Sequence, residues 1–138
     1  MNVLLDTNIV LDVLLKRLDC REAAKIIALS EKGKLNAYVS VSAVTDIYFI
    51  THRELKSKKK AMELLRNLLN TVSIAALSGV EIHEALDLEW NDFEDSVQYT
   101  AGKAILAKYI ISRNGDDFSS GSIPALTAEQ FLDIVAPK

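Results

Sequence analysis

One cysteine, two histidines, two prolines and five glycines are all that this chain of 138 residues holds of those types. Each scarcity excludes something. The lone Cys20 rules out an intramolecular disulfide and a cysteine-based zinc site. His52 and His83 lie far apart and have no ligand spacing, so any metal is expected to be hard and oxygen-bound, like Mg²⁺ or Mn²⁺. With so little proline and glycine, and no repeat or low-complexity segment, nothing reads as a linker. One domain over residues 1–138 is expected. The apolar runs are too short to span a membrane and no basic segment opens the chain, so a soluble, cytoplasmic protein is expected. Positive charge is not in excess either. The net charge of −3 is unlike that of a general nucleic-acid binder. Arg53, Lys56, Lys58, Lys59 and Lys60 form one local basic stretch. It is either a solvated connection between helices or a rim that contacts phosphates.

What is present is an alternation of short apolar runs with longer helical patterns, the mark of βαβ units. Strands are expected at Asn2 to Leu5, Ala37 to Val41, Val72 to Ala75 and Tyr109 to Ser112, with Ile123 to Leu126 as a short fifth. Between them run helices. A short one carries Ile9, Val10, Val13 and Leu14, and the next spans about Arg21 to Lys32 and stops at Gly33. Ser42 is a candidate cap for a helix toward Leu55, and another helix covers Lys59 to Leu69. Ser78 with Glu81 and Thr127 with Gln130 have the spacing of capping boxes. Asp92 caps a helix expected to reach about Lys108. Right-handed crossovers place helices on both faces of such a sheet. The expected fold is a three-layer α/β/α sandwich around a parallel sheet of four or five strands. A helical hairpin projects between strands two and three, with apolar residues beyond the needs of one face, and a homodimer surface is expected there.

Four acidic residues recur where this fold brings them together. Asp6 follows strand one, Asp46 lies one turn into the helix after strand two, Asp95 is in the first turn after Asp92, and Asp117 follows strand four. In an open parallel sheet the carboxyl ends of the strands share one edge, and ligands bind there. Two carboxylates about 4 Å apart repel by roughly 4 kcal/mol at an effective dielectric near 20, and a divalent cation turns that cost into binding energy. Each acid also has a plainer explanation. Asp6-Thr7-Asn8 makes a good helix cap, Asp46 fits a solvent-facing turn, and Asp92 and Glu94 suit a helix N-terminus. Asp116 shapes the Gly115 turn. Their joint placement is what points to a site.

The arrangement resembles the PIN-domain nucleases, and among them the VapC-type toxins of prokaryotic toxin–antitoxin pairs. The match runs through Leu4-Leu5-Asp6-Thr7-Asn8-Ile9-Val10-Leu11-Asp12, then Ser42-Ala43-Val44-Thr45-Asp46-Ile47-Tyr48 and Asp92-Phe93-Glu94-Asp95-Ser96-Val97-Gln98-Tyr99. It continues with Ser112-Arg113-Asn114, Asp117-Phe118 and the ending Ile123 to Leu132. By this resemblance Asp6, Asp46, Asp95 and Asp117 are the catalytic, metal-binding acids, with Thr7, Asn8, Ser112 and Asn114 as polar supports. Asp92 and Asp116 are the alternative acids. The second acid of the family is often Glu, and here it is the shorter Asp46. The implied activity is hydrolysis of RNA phosphodiester bonds with Mg²⁺ or Mn²⁺, by a toxin whose antitoxin protein covers the acidic cleft. The rival of another class is a PIN-fold module that binds RNA or a protein partner without cutting. A haloacid-dehalogenase type of phosphotransferase needs a second Asp where this chain has Asn8. A response-regulator receiver needs a phosphoacceptor Asp where strand three runs into Ala75-Ala76-Leu77-Ser78.

Overall fold

A computed structural model describes residues 1–17 and 20–135 of the chain. At its centre lies strand β1 (Asn2–Leu5), whose Val3, Leu4 and Leu5 are fully buried. The other strands are β2 (Asn36–Ser40), β3 (Ser73–Ala75), β4 (Tyr109–Ile111) and β5 (Ala125–Leu126). All pair in parallel in the order β3-β2-β1-β4-β5. The chain steps outward from β1 to β3, then returns to lay β4 on the other side of β1. Strand order therefore reverses at β1, and a crevice opens beyond the carboxyl ends of β1 and β4.

A parallel sheet covered on both faces needs strands that are apolar on both sides, and β1 with its run of three buried aliphatic residues meets that need. Successive side chains point to opposite faces. Val3, Leu5 and Ile111 pack on one side with α1 (Thr7–Leu14), α2 (Cys20–Glu31), α3 (Val41–Leu55) and α7 (Ala128–Val135). Leu4 and Ile110 pack on the other with Tyr99 and Ala101 of α6 (Phe93–Ala104) and with Leu88 of α5 (Gly79–Leu88). The result is the expected three-layer sandwich with five strands. The remaining helix, α4 (Lys58–Leu69), packs against α3 between β2 and β3.

Strands β2 to β5 differ from the expected bounds by one or two residues, β5 starting at Ala125 rather than Ile123, and two helix ends differ for a local reason. Helix α3 starts one residue after β2, with no loop between them. Its cap is therefore Ser40, the last residue of the strand, whose Oγ accepts from the Ala43 N–H at 3.2 Å. Ser42, the expected cap, sits inside the first turn with its hydroxyl 3.0 Å from that of Ser40. Helix α6 ends at Ala104 rather than near Lys108, because Leu106 takes a left-handed conformation (φ 56°). The Lys108 N–H already bonds to the Asn2 carbonyl at 2.8 Å, on the way into β4. Both capping boxes form as expected. The Ser78 N–H donates to Glu81 at 2.7 Å, and the Thr127 N–H donates to Gln130 at 3.0 Å.

Behind β4 an aromatic cluster holds α6 against the loop that precedes β5. Trp90 lies 4.9 Å from the Tyr99 ring and 6.5 Å from that of Phe118, centroid to centroid. The Tyr99 hydroxyl accepts from the Ser122 N–H at 3.0 Å. Gly121 lies against the same ring, and a Cβ there would stand 2.8 Å from Tyr99 Cδ1. Neither the ring nor the loop can withdraw without losing that hydrogen bond. Gly121→Ala is therefore expected to destabilise the fold by about 1–3 kcal/mol, the usual range for overpacking. Urea unfolding reads this directly, and an unchanged midpoint would contradict the packing described.

Candidate active site

Asp6 follows β1 without a spacer, and its backbone N–H donates to Ile111 O of β4 at 2.9 Å. This bond ties the two strand ends at the place where strand order reverses. Asp6 is the N-cap of α1, yet its carboxylate takes more than a cap needs. Its Oδ1 accepts from the Thr7 N–H at 2.8 Å and from Gln98 Nε2 at 2.6 Å, and its Oδ2 accepts from Ser112 Oγ at 3.0 Å. Ser112 Oγ in turn accepts from the Asn114 N–H at 3.1 Å. Three donors on one ionised group fix its orientation.

The other acids arrive from three directions. Asp46 stands half-buried on α3. Asp92 caps α6 by accepting from the Asp95 N–H at 3.2 Å, which sets Glu94 and Asp95 in the first turn. Asp117 sits in the 3₁₀ turn Gly115–Phe118, held by Asn114 Nδ2 at 3.1 Å and by the buried ring of Phe118 beside it. Together Asp6, Asp46, Asp92, Glu94, Asp95 and Asp117 line one cleft of about 510 Å³. Thr7, Asn8, Ser42 and Gln98 also line it. All four acids singled out in the sequence thus share one cleft, and their four polar neighbours lie in it or bond to its acids. Of the two alternatives, Asp92 lines the cleft, whereas Asp116 lines an adjoining groove with Trp90.

Three polar residues of the cleft escaped the sequence reading: Ser42, read only as a helix cap, Glu94 and Gln98. Glu94 looked like a first-turn acid placed for the helix dipole, but its carboxyl shares the cleft with Asp46 of another helix, whose proximity perturbs it. Nothing in the sequence signals that proximity. Gln98 lies one helical turn after Asp95, so helical spacing from Asp95 was the signal that would have found it.

The cleft is electrostatically frustrated. Close approach to the Asp46 carboxyl, then burial and the charges of Asp46, Asp92 and Asp6, raise the Glu94 carboxyl above the ordinary range. Asp95 is pushed up to about 7, first by burial and then by the charges of Asp92, Asp117, Asp6 and Glu94. No cleft acid has a Lys or Arg partner within ion-pair distance among the described residues. Asp12, on α1, is the contrast. It is buried and carries two partners, Arg17 at 3.3 Å and Arg113 at 3.6 Å. An acid with a structural role is neutralised in this protein, and the cleft acids are not.

This donor set suits a hard divalent cation, being entirely oxygen and without cysteine or histidine. The acids are arrayed around the cleft instead of drawn to a point. Among the described residues no three His, Cys, Asp or Glu side chains form a closed ion site. Mutual repulsion spaces like charges in this way, and Glu94 and Asp92 are exposed enough to rotate inward.

Comparison with known proteins agrees with the geometry. A family model described as the PIN domain matches residues 2–116. The chain is 26% identical over 137 residues to Ribonuclease VapC1 of Aquifex aeolicus, covering 95% of this chain and 93% of that protein. Its fold is similar to that in the crystal structure of VapBC2 from Rickettsia felis bound to a DNA fragment from their promoter. There the TM-score is 0.70 at 19% identity, over 91% of this chain and 97% of the other. Mycobacterium tuberculosis VapC20, described as a sarcin-ricin loop cleaving toxin, superposes with a TM-score of 0.69 at 11% identity, over 86% and 95% of the two chains.

The raised Asp95 carboxyl has a consequence for stability. Folded, Asp95 holds its proton to about pH 7, whereas its ordinary value is 3.8. Between those values the folded state binds more protons than the unfolded one, so its contribution to stability falls as pH rises through that window. In EDTA, Asp95→Asn is expected to melt above the wild type at pH 8, with the gap closing toward pH 4. A melting difference that does not change with pH would contradict this.

Proposed function

Because the chain belongs to the PIN-domain family, we propose that it is a metal-dependent endoribonuclease, the cytoplasmic toxin of a toxin–antitoxin pair. One observation carries the proposal. Unpaired carboxylates crowd the carboxyl edge of the sheet in a chain that neutralises its structural acid, Asp12, with two arginines. The ribonuclease name of the Aquifex aeolicus relative supports RNA as substrate, and the VapBC2 and VapC20 likenesses support the toxin role.

Asp6, Asp46, Asp95 and Asp117 are the proposed ligands of Mg²⁺ or Mn²⁺, with Glu94 beside Asp46 as a further donor. Bound there, a divalent cation supplies Lewis-acid activation of water and offsets charge on a phosphoryl group displaced in line. The residues of the chain do the rest. Asp6 arrives already oriented by Thr7, Gln98 and Ser112, so no reorganisation is needed there. Asn114 likewise donates to Asp117. Thr7, Asn8 and Ser42 offer hydroxyl and amide groups to phosphate or ribose oxygens on the cleft floor. The raised Asp95 carboxyl is the one whose proton a cation would displace at neutral pH.

The same charge that binds a cation attracts a basic segment. An antitoxin is proposed to cover this cleft with an arginine among the carboxylates. The proposed self-partner lies elsewhere, on α3 and α4. There Val44, Tyr48, Phe49, Met62 and Leu65 line a groove without polar surface, and Phe49 is 66% exposed. A second copy presenting the same apolar strip would bury it in an isologous interface.

Labelled single-stranded RNA incubated with purified protein in Mg²⁺, Mn²⁺ or EDTA tests the activity. The wild type is expected to cut only with metal. Asp6→Asn and Asp95→Asn should lose at least about 100-fold, in the range seen when a group acting on the transition state is removed. Glu94→Gln should lose less. Cutting in EDTA, or full activity in Asp6→Asn, would refute the assignment. For the self-association, analytical ultracentrifugation is expected to give a dimer for the wild type and a monomer for Phe49→Glu. A monomeric wild type would remove the α3–α4 interface.

A further inference from the structure

Among the described residues, two buried side-chain polar atoms have no hydrogen-bond partner: Thr51 Oγ1 and Gln98 Oε1. The second lies in the active-site wall. Gln98 is 7% exposed, sits in the middle of α6, and lines the cleft one turn after Asp95. Its Nε2 donates to Asp6 Oδ1 at 2.6 Å. That bond fixes the orientation of the amide. Rotated by half a turn, the amide would press its oxygen against a carboxylate oxygen. The carbonyl is thus left unpaired as the condition for the donor reaching Asp6.

A buried acceptor without a partner destabilises the fold, whereas an apolar side chain of the same length would carry no unpaired atom of its own. The neighbouring α6 positions Val97, Tyr99 and Ala101 are buried and apolar. Gln98 is therefore not the residue that fold stability alone would select. What it provides is a link that the other two donors cannot. Thr7 is adjacent to Asp6 in the chain, and Ser112 sits on the neighbouring strand end. Gln98 reaches Asp6 from 92 residues away, on the helix that carries Asp95.

We infer that Gln98 is the positioning residue that sets Asp6 relative to Asp95, tying the strand-end acid to the helix that carries the other. It acts through the Asp6 carboxylate. Outer-shell hydrogen bonds of this kind typically change metal affinity by about 10- to 100-fold when removed. The inference rests on the nuclease reading for what Asp6 does, but its signature is separate from cleavage. Loss of Gln98 should weaken cation binding without weakening the metal-free fold.

The test uses Gln98→Met, which keeps length and packing but cannot donate, and Gln98→Asn, which keeps the amide but is too short to reach. Binding of Mn²⁺ is followed by the EPR signal of the free ion, melting is measured in EDTA, and RNA cleavage is measured across a Mn²⁺ series. Gln98→Met is expected to melt at or above the wild type in EDTA. Both variants should bind Mn²⁺ about 10- to 100-fold more weakly than wild type. Turnover should recover as Mn²⁺ is raised, with the KM for RNA unchanged. Mn²⁺ affinity within twofold of wild type in both variants would overturn the inference while leaving the nuclease assignment standing. Wild type that binds Mn²⁺ but cuts no RNA would remove the assignment, and the difference in affinity would still decide the role of Gln98. A wild type that binds no Mn²⁺ would overturn both. Two variants that fail to fold in EDTA would also overturn the inference, by making Gln98 structural.

Discussion

Six carboxyl groups repel one another across a single cleft, and the fold must be stable enough to hold them there. Everything around the cleft opposes that repulsion. The central strand is buried on both faces, the Asp6 N–H locks the ends of β1 and β4 together, and the Trp90–Tyr99–Phe118 cluster keeps α6 from moving away. Asp92 contributes charge to the cleft and at the same time caps the helix on which Asp95 rides. Placing acids at helix N-termini offsets part of the repulsion, because the first-turn N–H groups are positive. It does not offset all of it, as the raised Asp95 and Glu94 carboxyls record.

Asp12 gives the scale for judging the others. An ionised group taken out of water needs compensation of several kcal/mol, and Asp12 receives it from Arg17 and Arg113. Arg113 does a second thing through the same contact. It follows Ser112, so its bond to Asp12 steadies the segment that carries Asn114 and Asp117 toward the cleft. Among the described residues two guanidinium groups serve Asp12, and none pairs with a cleft acid. Leaving the cleft acids unpaired keeps their oxygens available to a cation from solution.

Much of this was legible in the sequence, because periodicity and turn chemistry are local. Alternation of short apolar runs with helical stretches gave the order of layers, and Asp6, Asp46, Asp95 and Asp117 could be placed at strand ends and helix starts by counting. The residues missed are those whose role depends on contacts between distant segments. Glu94 reads as a helix-start acid until α3 brings Asp46 against it. Gln98 reads as an ordinary polar residue until β1 places Asp6 beneath it, although its spacing from Asp95 was available. The Ser40 cap was missed for a different reason. Strand β2 passes into α3 with no intervening residue, so two serines competed for one role, and only the extended backbone at Ser40 (φ −69°, ψ 149°) decides between them. The early end of α6 reflects the pull of the sheet on Lys108, again a contact far away in sequence.

The cleft divides into a rigid half and an adaptable half. Asp6 has three donors and Asp117 has one, and both sit on backbone fixed by strand ends or by the buried Phe118. Asp46 and Glu94 have chiefly each other, and that proximity raises the Glu94 carboxyl above its ordinary range. On the nuclease reading this asymmetry is useful. A rigid pair locates the cation with little loss of entropy, and a flexible pair completes its coordination around whatever the phosphate leaves open. The shorter reach of Asp46 is then less of a handicap than the sequence suggests, because Glu94 stands beside it with one more methylene and the freedom of an exposed side chain.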